Sequence, residues 1–415
     1  MRAMHKAQRS PAERHLRRRA CGALCALGLL GLGPSASAYD VTDGFKVFAN
    51  LQTWLTVWEQ DEAAAALTQV PSGDLAADTT TGFSIQRARV GAEGSFFDDL
   101  FGLRIQIKLE QSVELLDAYA RLTPAKWFEL RVGQFKTPTT YENLTDDQTL
   151  DFVSRTLISA AIADYSLSRT YYTATQLSGV RAQQRDLGIS AVGQIDLGPV
   201  PLRYRLMLGN GLGANQWIGG SSGKQVVLTN PPQFYYGARL ELEPAPGFVT
   251  LGGHASYNKH DNMALGGARM VVDLFRTSWS ADVRLSVPAA GLRVTGLYGG
   301  GKILEDFYGD GKDDLHYHGW EGKIMWRLTE PLRAWTGWSW LHDHALELGF
   351  RYDGLMTETD ESGMPTWQRN YTFGLAYLWR DYIKVQTDFI VRRTADPAQP
   401  DLADDGLILC VQGAM

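Results

Sequence analysis

Between Leu103 and Glu110 the chain alternates without a break. Leu103, Ile105, Ile107 and Leu109 take one parity; Arg104, Gln106, Lys108 and Glu110 take the other. Period two is the side-chain period of a β-strand, so this segment sets an aliphatic face against a polar, charged one. Sixteen segments read this way: 44–58, 83–96, 102–110, 115–122, 127–136, 186–196, 202–210, 233–242, 248–257, 277–287, 292–301, 316–328, 332–341, 367–378, 382–392 and 405–415. A charged second face repeated through so many strands suits a water-filled interior better than a packed sandwich.

The connections alternate in length. Short ones lie near 97–101, 123–126, 197–201, 243–247, 288–291, 329–331 and 379–381, most of them rich in the Pro, Gly or Asp that close tight turns. Longer ones lie near 59–82, 137–185, 211–232, 258–276, 302–315, 342–366 and 393–404, and only the one near 111–114 is brief. In lipid every backbone polar group needs a partner, and a closed barrel supplies one without helices. Short turns at one end and long loops at the other are the pattern of an outer-membrane barrel, whose even strand count puts both termini at the periplasmic end. Trp54, Trp58, Trp127, Trp320, Trp326, Trp338, Trp340, Trp367 and Trp379 fall mostly near strand ends, where aromatic girdles meet the headgroups.

Residues 1–38 read as an export signal. Arg14, Arg17, Arg18 and Arg19 precede an apolar run from Cys21 to Gly33, Pro34 breaks it, and Ala36-Ser37-Ala38 is a small-residue cleavage site. That run is shorter than the roughly 20 residues a membrane-spanning helix needs. The remaining domain, 39–415, is expected to start near Tyr39. The whole chain has 40 Lys+Arg and 46 Asp+Glu; the signal takes seven basic residues and one acid, leaving 33 against 45, a net charge of −12. That balance argues against a nucleic-acid partner, which needs a basic face. Cys410 is then the only cysteine, so no intramolecular disulfide forms.

Assigning each apolar face to lipid leaves 17 basic and nine acidic residues on the inner wall. Among the basic ones are Arg87, Arg89, Arg104, Lys108, Arg121, Arg131, Arg203 and Arg205, with Arg333 further along. The excess acid of the chain then sits in loops, turns and termini. The expectation is a wall that favours anions, because rings of Arg and Lys replace part of an anion's hydration. The alternative is that these charges pair across strands with wall acids.

Other constellations carry less. His342-Asp343-His344 and the pair His316 and His318 resemble metal ligands, but no third ligand is placed by the sequence, so no metal site is expected. No G-x-S-x-G or similar signature commits residues to hydrolysis, and the reading is not an enzyme. A surface adhesin or receptor using the loops at 59–82 and 342–366 stays open beside a pore.

The segment Phe83-Ser84-Ile85-Gln86-Arg87-Ala88-Arg89-Val90-Gly91-Ala92-Glu93-Gly94 resembles a stretch of the phosphate-selective porins O and P. So do Asp117-Ala118-Tyr119, the run from Val132 to Pro138, Glu142-Asn143-Leu144-Thr145, Tyr371-Thr372-Phe373-Gly374-Leu375 and Asp405-Gly406-Leu407. The resemblance implies an all-β transmembrane antiparallel up-and-down barrel of 16 strands, assembled as a homotrimer, whose third loop, 137–185, folds inward to narrow the channel. Arg155 matches a basic position in that loop. Phosphate-selective members carry a lysine just after the segment matching Leu144-Thr145. Here Asp146, Asp147 and Gln148 stand there as the constriction-loop candidates. Lys302 and Lys312 are the nearest substitutes for that lysine. Such barrels usually end in an aromatic residue read by the barrel assembly machinery, whereas this chain ends in Met415. The expected function is passive diffusion of small hydrophilic solutes, with preference for anions such as phosphate or other oxyanions. A general or cation-preferring porin is the alternative, and a barrel hydrolase a weaker one. No cofactor is implied, and the expected surroundings are outer-membrane lipid and lipopolysaccharide.

Overall fold

The computed structural model describes residues 44–58, 81–110, 113–163, 184–211, 213, 226–228, 234–265, 271–306, 315–359, 366–380, 382–396 and 399–415. The proposed signal segment, 1–38, and much of the proposed third loop, 164–183, lie outside these residues.

Sixteen strands close into a ring: β1 (Phe45–Trp58), β2 (Gly82–Phe96), β3 (Phe101–Lys108), β4 (Glu114–Ala125), β5 (Phe128–Lys136), β6 (Arg185–Leu197), β7 (Val200–Gly209), β8 (Tyr235–Ala245), β9 (Val249–Leu265), β10 (Val271–Val287), β11 (Leu292–Asp306), β12 (Leu315–Arg327), β13 (His344–Thr359), β14 (Thr366–Trp379), β15 (Ile383–Asp396) and β16 (Gln399–Ala414). A further three-residue strand, Val226–Leu228, pairs with Met263–Leu265 at the far end of β9 and takes no part in the ring. Every neighbouring pair is antiparallel. The ring closes where β1 meets β16, from Asn50 opposite Ala414 to Trp58 opposite Gly406. Met415 finishes that seam: its N–H and carbonyl both bond Ala49, each at 3.0 Å.

The parities of the sequence hold. Leu103 and Ile105 of β3 are 48% and 46% exposed on the outer face, while Arg104 and Lys108 point inward to ion pairs. On the long-loop half of the outer face an aromatic chain runs from strand to strand. Tyr236, Tyr257 and Phe275 lie in contact; so do Trp279, Tyr298, His318, Trp367, Trp320, Tyr352 and Tyr371. His318 is therefore a ring in a girdle.

Three expectations are corrected. The thirteenth strand is His344–Thr359, not 332–341. Residues 328–343 instead form a connection at the short-turn end, built from the helix Thr329–Thr336 and the 3-10 turn Ser339–His342. This moves His342-Asp343-His344 from the long-loop end to the short-turn end. There Asp343 is held by two bonds of 3.0 Å from Arg380, and His344 Nδ1 lies 2.6 Å from the Tyr377 hydroxyl. Arg333 leaves the wall for the same reason and pairs with Glu330 at 2.5 Å. Second, Trp54 and Trp58 do not belong to a girdle; they point inward and are buried with Val153, Ile390 and Ile408. Third, the strands around 258–276 and 342–366 run further than their periodicity suggested, so those loops are shorter.

The connection after β5 turns into the barrel. Two helices among its described residues, α1 (Tyr141–Leu144) and α2 (Leu157–Ala163), pack against the inner wall. Leu157, Ile158, Ala161 and Ile162 of α2 are buried against Leu297 and Ile303 of β11, Leu315 and Tyr317 of β12, and Leu355 of β13. Burying each of the larger aliphatic side chains contributes about 1.5–3 kcal/mol. The inner wall is thus apolar where the loop helix lies on it, and again in two smaller patches, at Trp54, Trp58, Ile390 and Ile408 and at Phe135, Met207 and Tyr235. The wall also makes room: a Cβ on Gly374 of β14 would stand 2.9 Å from the Phe152 ring. The helix Thr329–Thr336 at the short-turn end is α3.

Candidate functional site

The inward loop is held by its backbone. Buried groups of the strand wall take its free amides and carbonyls in turn, which a loop inside a barrel requires because unpaired buried polar groups are costly. Asp388 of β15 accepts the Val153 N–H at 2.6 Å, and Asp353 of β13 accepts the Leu157 N–H at 3.0 Å. On the donor side, Lys384 Nζ reaches the Leu150 carbonyl at 2.5 Å and Arg351 the Ser154 carbonyl at 2.7 Å. Tyr141 donates its hydroxyl to Glu321 at 2.8 Å. Burial, with Glu321 beside it, pushes the Tyr141 phenol well above its ordinary range. Within the loop, Glu142 accepts the Thr156 N–H at 2.9 Å and its hydroxyl at 2.7 Å, tying α1 to the start of α2.

Asp151 joins this clasp from the loop side. Its carboxylate lies 3.0 Å from Lys323 and 2.8 Å from Arg293. Burial alone would push its pKa up, yet the two cations, Lys323 first, bring it down to about 2.

The constriction candidates divide. Asp147 is buried and sits among three guanidinium groups: it pairs with Arg155 and Arg89, and Arg87 stands 3.6 Å away. Asp146 and Gln148 flank it and are exposed to the water-filled interior. Asp146 pairs with Lys136 at 3.1 Å, and the same Nζ reaches the Thr145 carbonyl at 2.9 Å. Gln148 accepts a long bond of 3.5 Å from Asn50.

The basic candidates fall into two sets. Arg87, Arg89 and Arg155 are drawn under the loop by Asp147, and Arg87 lies on the buried Trp54 ring at 5.5 Å. They do not form a ladder exposed to the waterway. The second set lines the uncovered wall from β3 to β7. Arg104 pairs with Glu93 at 3.0 Å, Lys108 with Glu114 at 3.5 Å, and Arg121 with Glu129 at 3.7 Å. Arg131 also pairs with Glu129, and Arg203 pairs with Glu243 at 2.6 Å. These side chains keep 20–46% of their surface exposed. Arg205 is the exception. Of the nine candidates it alone forms no ion pair among the described residues. Across the sheet it faces Arg239, and its charged neighbours are Arg131, Arg239 and Glu241.

Lys302 lies on the outward parity of β11 and is exposed, so it does not reach a constriction; Lys312 lies outside the described residues. Sequence reasoning missed Arg351, Asp353 and Glu347, all on the displaced β13. The signal was there: Leu346, Leu348, Phe350 and Tyr352 alternate with Glu347, Gly349, Arg351 and Asp353. Lys136, at the end of β5, was also missed as a clasp. No group of three or more His, Cys, Asp or Glu able to hold a metal ion occurs among the described residues.

Comparison with known proteins agrees with this architecture. The family model described as phosphate-selective porin O and P matches residues 65–269. No curated protein matches the chain. Among solved structures, the anion-selective porin of Comamonas acidovorans is 12% identical, with a TM-score of 0.53 over 89% of this chain and 99% of that one. The outer-membrane channel DcaP of Acinetobacter baumannii is 11% identical, with a TM-score of 0.55 over 92% and 100%. The trimer form of OmpT, an outer-membrane protein of Vibrio cholerae, is 11% identical, with a TM-score of 0.52 over 89% and 99%. At these identities the likeness is one of fold.

Proposed function

We propose that this chain, an outer-membrane channel that belongs to the phosphate-selective porin O and P family, conducts small hydrophilic solutes passively and prefers anions to cations. The observation that carries the preference is Arg205, a wall cation without a carboxylate partner, set against Arg239 and beside Arg131. Among the described residues every other candidate cation of the open wall has a carboxylate within reach, Arg121 and Arg131 sharing Glu129, so Arg205 is the candidate whose charge is least offset and sets the sign. The preference is modest, and weak binding suits conduction because a solute must also leave. Phosphate and other oxyanions are the natural candidates, since a guanidinium binds them through two parallel donors.

Reversal potential across a KCl gradient in a planar bilayer tests this reading. Chloride preference is the expected result. Potassium preference would reject it and hand control of the constriction to Asp146.

The assembly is proposed to be a homotrimer. Its support is the outer surface: linked aromatic rings run from β8 to β14, whereas between Phe45 and Phe83 at its edges the face of β1 to β3 presents the aliphatic Leu51, Val57, Ile85, Val90 and Ile105. A Val90→Arg variant that still ran as trimers on a mild-detergent gel would count against that face. Residues 1–38 are proposed to be the cleaved export signal, checked by sequencing the N-terminus of the membrane-extracted protein. The ion-conducting reading leaves no role for catalysis, and retention of full conductance by an Asp343→Ala variant accords with it.

A further inference from the structure

The connection between β12 and β13 differs from every other described turn at its end of the barrel. The others close within residues 97–100, 126–127, 198–199, 246–248, 288–291 and 380–382, whereas this one occupies 328–343 and contains α3. Its local logic is clear. Pro331 stands in the first turn, where a missing N–H breaks no helical bond. Gly337 stops the helix with φ 68°, and its N–H bonds the Arg333 carbonyl at 2.9 Å.

The segment is tethered underneath and open on top. Thr329 and Leu341 are buried, the Leu328 N–H bonds the Leu346 carbonyl at 2.8 Å, and Asp343 is held by Arg380. Leu332 and Trp335, three residues apart, share a helix face. They are 43% and 84% exposed, and Trp338 just beyond is 55% exposed. A fixed segment that offers three large apolar side chains to water would forgo roughly 25 cal/mol for every Å² left wet.

The surroundings say what covers them. Trp326 and Trp379, at the ends of β12 and β14, and Tyr382 in the next turn are 45%, 42% and 54% exposed at the same end of the lipid-facing wall. Indole rings favour the headgroup layer, and an amphipathic helix with Trp and Leu on one face lies in the plane of that layer.

We propose that α3 with Trp338 is an interfacial anchor, seated in the lipid headgroup layer at the short-turn end and extending the girdle of Trp326, Trp379 and Tyr382 beyond the barrel wall. The proposal depends on the barrel standing in a membrane and not on its ion preference.

The test uses the full-length protein in vesicles of phosphatidylethanolamine and phosphatidylglycerol. A polarity-sensitive fluorophore is attached at Trp335→Cys and, separately, at Lys126→Cys in the turn between β4 and β5, with Cys21→Ser and Cys25→Ser in both; Cys410 is buried and stays unlabelled. The probe at 335 should emit further to the blue, lose intensity with brominated acyl chains and resist aqueous iodide, while the probe at 126 behaves in the opposite way. Equal iodide quenching at both positions would overturn the proposal, because the helix would then face water. So would a blue shift at 335 that ignores brominated lipid and grows with protein density, since a second copy would then be the cover.

Discussion

Asp388 of β15 accepts the backbone N–H of Val153 at 2.6 Å, so a carboxylate of the barrel wall caps an amide of the inward loop 235 residues away in sequence. The bond is buried and charge-assisted, the class worth roughly 1.5–3 kcal/mol. An Asp388→Ala barrel should still assemble, because the strand ladder does not use that side chain. The loop should lose one anchor of its clasp. Single-channel recordings are expected to show higher conductance with added open-state noise, and unchanged traces would mean that Asp353, Arg351 and Lys384 hold the loop without it.

Asp147 offers a sharper handle on selectivity. It sits among Arg87, Arg89 and Arg155, so three cations surround one acid beneath the inward loop. Asp147→Asn keeps the shape and removes the charge. One unit charge felt at about 4 Å through bulk-like water is about 1 kcal/mol, or roughly five-fold in a permeability ratio. The reversal potential of the variant should move toward chloride by up to that factor. No movement would show that Glu110, 3.7 Å from Arg89, already neutralises the group.

The clasp also carries a pH limit. The Asp151 carboxyl is brought down from its ordinary 3.8 to about 2 by Lys323 and Arg293, against the upward push of burial. A depressed acid contributes its anchoring in full above the ordinary value and loses it as pH falls through the depressed one. The Asp151 contribution should therefore be lost in an acid step of conductance between about 4 and 2, as that anchor of the loop loosens. Asp151→Asn should already show the loosened conductance at neutral pH, and its titration should lack that acid step.

The sequence carries the barrel more fully than the channel inside it. Alternation such as Leu103 to Glu110 reports directly which residues meet lipid, since that face must be apolar whatever the interior does. Residues 332–341 misled because tryptophans and polar residues alternate there too. The spacing of Leu332 and Trp335 is helical, and Pro331 with Gly337 brackets one helix. The inner face is harder to read. Lys384 and Arg203 share the same parity signature, yet one bonds a loop carbonyl and the other stands in the waterway. Nothing in a strand's periodicity says which inward charges a folded-in loop will consume, so the wall looked more basic than the surface a solute meets.

Arg205 is where that distinction can be measured. Arg203, two residues away on the same face, is answered by Glu243 at 2.6 Å, while Arg205 is opposed by Arg239 and has no such partner. Reversing a compensated charge creates a clash with its former partner; reversing the uncompensated one mainly changes what a passing ion feels. Arg205→Glu also places an acid between Arg131 and Arg239, which can pair with it, so the barrel should fold. Its reversal potential is expected to shift toward potassium. Arg205→Ala should give a smaller shift of the same sign, with each unit of charge again bounded at about 1 kcal/mol near 4 Å in water. Raising KCl should shrink the difference, because the Debye length falls from about 10 Å at 0.1 M to about 3 Å at 1 M. If both variants keep the parent selectivity at low salt, Arg205 does not face the conducting path, and the source of any anion preference lies with the arginines around Asp147.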